Sequence, residues 1–254
     1  MIARFPILVF LLSLAAFTAA AWLGATRFAR ARAHVGQHRD EFGVIQGATL
    51  TLLGLIIGFT FSMALNRYES RISLEEEEAN AIGTEYLRAD LLPAADAERV
   101  RELLRSYVAQ RILFYEAREL DEREHVDAET ARLQAELWAA VRGPAAAQPS
   151  PLTALAVSGM NDVINSQGYT QAAWANRIPP AAWVLMSSIA LFSTLLVGIG
   201  IRTRKDGFAW VLLVLPVVTA TSFFLIADIE SPRQGTIRVV PQNLLDLART
   251  LQSQ

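Results

Sequence analysis

Between Phe42 and Asn66 the chain runs for 25 residues without a charged side chain. As a helix rising about 1.5 Å per residue, that stretch crosses a hydrocarbon layer of about 30 Å with some tilt. It predicts a membrane span, closed by charge at Glu41 and Arg67. Thr51, Leu55, Phe59, Ser62 and Asn66 recur at spacings of three and four, which places them along one helix face. Such a face can line an aqueous path. Gly43, Gly47, Gly54 and Gly58 form two GxxxG pairs, which let another backbone come close where lipid provides no hydrophobic drive to association. Ser, Thr and Gly in a membrane helix also serve simple helix packing, and spacing alone does not choose between the two roles.

Three further uncharged runs are long enough to span: Phe5 to Ala25, Ile178 to Ile201 and Gly207 to Ala227. Between the second and third of the four runs the balance changes. From Arg67 to Arg177 there are 19 acidic and 12 basic side chains, a net charge of −7, which predicts a water-facing domain. A mildly acidic domain does not support nucleic-acid binding, which calls for a basic stripe. The chain has no cysteine, which excludes disulfides, thiolate metal sites and a cysteine nucleophile.

The expected divisions are a first transmembrane hairpin over 1–66, a helical bundle over 67–177, a second hairpin over 178–227 and a C-terminal tail over 228–254. Met1 to Ala21 has the outline of a signal peptide, but its long apolar run and the arginines that follow favour a retained span. A short basic connector, Arg27 to Glu41, makes the first two spans antiparallel neighbours. Its His34 and His38 could share a face as metal ligands, yet Gly36 between them weakens any helix, and no metal site is assigned.

Beyond Asn66 the helical pattern continues into water as one long helix up to Pro93. Within it, Glu75 to Glu78 point in different directions, cannot converge on one ion, and read as a solvated acidic face with one or two members meeting an arginine. Asp96 is placed to cap the next helix, whose inner face is Val100, Leu103, Leu104, Tyr107 and Val108. A further helix carries Val126, Leu133, Leu137 and Val141. Glu122 and His125 have the spacing of a di-iron ligand pair but lack a second pair, so that reading is rejected. Gly143 to Pro151 reads as a Pro-rich break. A last bundle helix, Leu152 to Asn176, should turn Leu152, Leu155, Met160, Val163 and Ile164 inward.

Pro179 and Pro180 mark entry to the third span, and a basic loop, Arg202 to Gly207, joins it to the fourth, which Pro216 should kink. Asp228 and Glu230 oppose the dipole at that helix end and need partners, with Arg233 and Arg238 the nearest candidates. The tail carries Leu244, Leu245, Leu247 and Leu251 as an amphipathic stretch suited to docking on the bundle or on a neighbouring subunit.

The segment from Gly58 to Tyr68 (GFTFSMALNRY), the EEANAIGTEYLRADLLP that begins at Glu77, the arginine-leucine element from Arg101 to Arg111, the Ile178-Pro-Pro180 entry and the ending IADIESPRQGTIRVVPQNLLDL resemble the bacterial bestrophin-like proteins of the DUF4239 domain family. The match covers about Phe42 to Leu247. That family is distantly similar to the bestrophins, pentameric anion channels whose second span lines the pore. The resemblance implies an all-α, four-span membrane protein of the bacterial inner membrane, a homo-oligomer that is pentameric by analogy. It places Thr51, Leu55 and Phe59 at a neck, one turn apart, with Thr51 departing from the apolar residue expected there. No counterpart of the eukaryotic calcium clasp is found, since Asp228 and Glu230 are too few carboxylates.

The basic short loops put the bundle outside the cytoplasm by the positive-inside rule, whereas the resemblance puts it inside. The function expected is passive conduction of small inorganic ions, with the lipid bilayer and further copies of the chain as partners. The alternative is a membrane-anchored helical scaffold that does not conduct. Three scattered histidines, no phosphate-binding loop and no nucleophile motif leave no candidate for catalysis and no cofactor site.

Overall fold

The structure is a computed structural model and describes residues 5–28, 39–201 and 210–253. Among these the regular elements are helical: α1 (Pro6–Thr26), α2 (Arg39–Arg88), a 3-10 turn (Ala89–Leu91), α3 (Ala94–Glu116), α4 (Leu120–Ala147), α5 (Pro151–Ala175), α6 (Pro180–Gly200), α7 (Val211–Ile229) and α8 (Gln242–Gln252). Four segments are long and apolar enough to cross a membrane: Pro6–Thr26, one within Asp40–Leu91, one within Pro151–Gly200, and Val211–Ile229. Residues 29–38 of the basic connector, with His34 and His38, and the Arg202 to Gly207 loop, lie outside the described residues.

The chain forms two compact units, one of Met1–Asn66 with Arg177–Arg238 and one of Arg67–Asn176 with Val239–Gln254. In the first, α1 packs against α6 and α7. A side chain on Gly24 would strike the Leu195 carbonyl, and one on Gly198 would strike the Ala21 carbonyl. Backbone approach of this kind is how helices gain contact where apolar surroundings offer no hydrophobic drive. Aromatic edges complete the joint, with the Phe17 and Phe223 ring centroids 5.4 Å apart and Trp183 reaching Phe223 at 6.0 Å. Pro216 lies buried inside α7.

In the second unit, α3 packs on α4 and α8, and α4 packs on α5. Ile82, Leu104, Tyr107, Leu137, Met160 and Leu244 have no exposed surface and lie in its core. Of the inner face expected for α3, Val100, Leu104, Tyr107 and Val108 are buried and Leu103 is half-buried, and on α4 Val126, Leu133, Leu137 and Val141 are all buried. Helix α2 ends at Arg88 and tightens into the 3-10 turn, where the Leu92 amide donates to the Ala89 carbonyl at 3.0 Å. Leu92 is extended, as the residue before Pro93 must be.

Three local expectations are corrected. Asp96 does not cap α3, because the helix already starts at Ala94 behind Pro93; Asp96 sits in the first turn, where its charge suits the positive helix end. The Pro-rich segment breaks later than expected, since α4 runs through Gly143 and Pro144 to Ala147. Pro144 falls in the last turn, where little of the hydrogen-bond ladder remains to lose, and three alanines sustain the helix. On α5, Met160 and Val163 are buried as expected and Ile164 is half-buried, but Leu152 and Leu155 are 55% and 48% exposed, and Thr153 and Ala156 take the buried places at the start of the helix. The cause is the cap: the Thr153 amide donates to Ser150 Oγ at 3.1 Å and the Ser150 amide to Thr153 Oγ1 at 3.1 Å, which turns Thr153 inward.

Candidate functional site

The five residues proposed for a path, Thr51, Leu55, Phe59, Ser62 and Asn66, are all exposed in the single subunit, Leu55 by 50% and Phe59 by 61%. The buried residues of the same stretch are Leu53, Thr60 and Ala64. With about 3.6 residues per turn the two sets fall on opposite sides of α2. The subunit therefore packs against one side of this helix and leaves the other uncovered. Gly43, Gly47, Gly54 and Gly58 lie along the flank between them, and a Cβ built at any of the four meets nothing within 4 Å. Among the described residues, each of the four faces open space at its Cβ position. Gly24 and Gly198 do serve packing within the subunit, where α1 meets α6, and sequence reasoning missed them because neither belongs to a GxxxG pair.

The polar groups of the face are partly spoken for. Thr51 Oγ1 donates to the Gly47 carbonyl at 2.9 Å, which leaves its oxygen lone pairs toward the exposed side. The buried Thr60 hydroxyl donates to the Ile56 carbonyl at 2.7 Å and so needs no partner on another helix.

At the far end of the apolar helices, the residues that follow α7 are held by its last acidic side chains. Asp228 accepts from the Thr236 amide at 2.8 Å, the Thr236 hydroxyl at 2.7 Å and the Ile237 amide at 2.9 Å. Its partners are thus a returning backbone and a hydroxyl rather than the expected arginine, because Gly235 lets the turn close: a side chain there would collide with the Asp228 and Ser231 carbonyls. Arg238 donates instead to the Gly235 carbonyl at 2.9 Å. Glu230 Oε2 accepts from the Ile178 amide at 2.9 Å, and Arg177 donates to the Glu230 carbonyl at 3.0 Å. Pro179 and Pro180 have no amide hydrogen to give, so Ile178 is the donor through which the α7 exit grips the α6 entry.

In the second unit the glutamate run is sorted by side. Glu76 and Glu77 are exposed, but Glu75 and Glu78 are 1% and 0% exposed, which overturns the solvated reading for those two. Glu75 Oε1 accepts from the Leu244 amide at 2.9 Å and its Oε2 from Asn243 at 2.6 Å. These donors open α8, whose preceding residue is Pro241, so Glu75 supplies from another helix the carboxylate cap that Pro241 cannot. Glu78 pairs with Arg111 and accepts from Thr170 at 3.1 Å and Tyr115 at 3.5 Å. Burial works against the Arg111 charge, and the charge and hydrogen bond of Glu78, with Tyr107 and Tyr115 beside it, more than offset it, so its proton is held above the ordinary range. Burial likewise pushes Tyr115 up, with Glu78 adding to the rise. Arg71 donates to the Ala173 carbonyl at 3.4 Å and the Asn176 carbonyl at 3.2 Å, the negative end of α5. Among the described residues no group of histidine and acidic side chains could hold a metal ion.

Four apolar helices and a charge-rich helical bundle define an all-helical membrane protein. The chain belongs to the bestrophin-like family: the model of the bestrophin-like domain matches residues 11–244. It is similar in fold to solved structures of a bacterial bestrophin homologue from Klebsiella pneumoniae. A leucine-to-threonine variant of that protein superposes with a TM-score of 0.65 at 13% identity, over 96% of this chain and 98% of that one. A tyrosine-to-alanine variant gives 0.64 at 13% identity, over 94% and 99%, and a form phased on zinc gives 0.62 at 15%, over 96% and 98%. Comparison with curated protein sequences gives no match.

Proposed function

We propose that copies of this chain assemble into a ring, a pentamer by analogy with the bestrophins, and conduct small inorganic ions across the bacterial inner membrane. The path is lined by the Thr51, Leu55, Phe59, Ser62 and Asn66 side of α2, and the preference is for anions by the same analogy. The observation that carries the reading is the uncovered side of α2, which is the side holding all five residues while the subunit buries Leu53, Thr60 and Ala64. The glycine flank supports it, because Gly43, Gly47, Gly54 and Gly58 leave room for the same helix of a neighbouring subunit. Phe59 and Leu55, one turn apart, form an apolar constriction that gates by dewetting, and Thr51, Ser62 and Asn66 offer hydroxyl and amide groups to a partly dehydrated ion.

The test is ion flux into liposomes holding the purified protein. Conduction that rises on Phe59→Ala supports the reading. Absence of flux in both proteins leaves a membrane-anchored helical scaffold.

A further inference from the structure

Glu85, on the bundle portion of α2, has no exposed surface, and neither of its carboxyl oxygens has a hydrogen-bond partner among the described residues. An isolated carboxylate in such a place is costly, whereas a protonated carboxyl is tolerable. Its Oε2 lies against Gly159 of α5, at the spot a side chain would fill, and Arg88 Nη1 crowds the same spot. Arg88 in turn faces Asp162 of α5, with Nη1 and Oδ2 3.8 Å apart. One guanidinium thus stands within reach of two acids, one buried on its own helix and one exposed on the neighbour.

Other charged groups nearby are committed elsewhere. On α3, Arg101 and Arg105 lie over the Tyr86 ring at 5.6 and 5.3 Å and pair with Asp90 and Glu98. On α8, Asp246 pairs with Arg249, while the residue that reaches α2 beside this site is the apolar Leu247, against Gly83.

We propose that Glu85 is a proton-binding switch for the contact between α2 and α5. With its proton on, Glu85 sits neutral over Gly159 and Arg88 serves Asp162, which holds α5 in place. When the proton leaves to water, the new carboxylate takes Arg88 from Asp162, and α5 loosens around Gly159.

Burial pushes the Glu85 carboxyl up from its ordinary 4.5 to about 8, with Arg88 pulling it down and Asp162 adding to the rise. Once α5 lifts, Glu85 meets water while Arg88 stays beside it, which brings its carboxyl down at least to the ordinary value. Between 4.5 and about 8 the closed state therefore binds more protons than the open one, so rising pH favours opening, by at most about tenfold per pH unit, and the effect levels off above about 8.

The experiment is amide hydrogen exchange of residues 150–163 in the full-length protein in detergent, corrected for intrinsic exchange and referred to residues 126–141 of α4. Opening should rise from pH 5 to 8 in the natural protein and stay flat in Glu85→Gln. Asp162→Asn removes both the competitor for Arg88 and a charge that disfavours the Glu85 carboxylate, so it should move the midpoint to lower pH. Infrared difference spectra at pH 7 should show a protonated carboxyl band that Glu85→Gln lacks. Equal profiles in the natural protein and Glu85→Gln, or no such band, overturn the proposal. Should Glu85→Gln fail to fold, an unmoved midpoint in Asp162→Asn overturns it.

Discussion

The Glu78 carboxylate and the Arg111 guanidinium meet where neither side chain has any exposed surface. Thr170 and Tyr115 satisfy further positions on the carboxylate, and the guanidinium lies 4.4 Å over the Phe114 ring. Such a pair is worth little against an apolar pair of the same shape, but breaking it strands a charge. Glu78→Gln or Arg111→Met alone should therefore destabilise the protein by about 3–5 kcal/mol. The double variant Glu78→Leu with Arg111→Met should recover much of that loss. Chemical denaturation of the detergent-solubilised protein checks both, and a double variant as unstable as the worse single one would mean the pair itself stabilises the bundle.

Glu75 holds the start of α8 through the Leu244 amide and the Asn243 side chain. Glu75→Ala leaves the Leu244 amide without its acceptor, at a cost of about 1–3 kcal/mol, and frees the C-terminal helix ahead of the bundle. Limited proteolysis should cut the variant between residues 239 and 253 sooner than the natural protein, with the 94–147 region equally resistant in both.

The two classes of glycine separate experimentally. Gly198→Val drives a side chain into the Ala21 carbonyl and should abolish folded protein in detergent. Gly58→Val meets open space within the subunit, so folded protein should persist while its share in the oligomer falls. Size-exclusion chromatography with light scattering distinguishes the outcomes, and an oligomer unchanged by both Gly54→Val and Gly58→Val removes this flank from the interface.

The apolar helices were legible in the sequence because lipid demands long uncharged runs, and the α3 and α4 faces because a helix repeats every three to four residues. The split of Glu75 to Glu78 was not, since a run of one residue type hides which side the fold buries. Arg71, Glu75, Glu78 and Ile82 recur at spacings of three and four, and that register was the available signal. The burial of Thr153 and Ala156 in place of Leu152 and Leu155 at the start of α5 was hidden in the reciprocal cap of Ser150 and Thr153, and the partners of Asp228 in a backbone return that Gly235 permits.

Because the chain has no cysteine, single cysteines can be read without background. In liposomes, a charged methanethiosulfonate reagent applied to Thr51→Cys, Leu55→Cys, Phe59→Cys, Ser62→Cys and Asn66→Cys should change ion flux at most of these positions. Leu53→Cys, Thr60→Cys and Ala64→Cys should not respond. Flux that is untouched by modification along the first set, or altered chiefly along the second, contradicts a path lined by this side of α2.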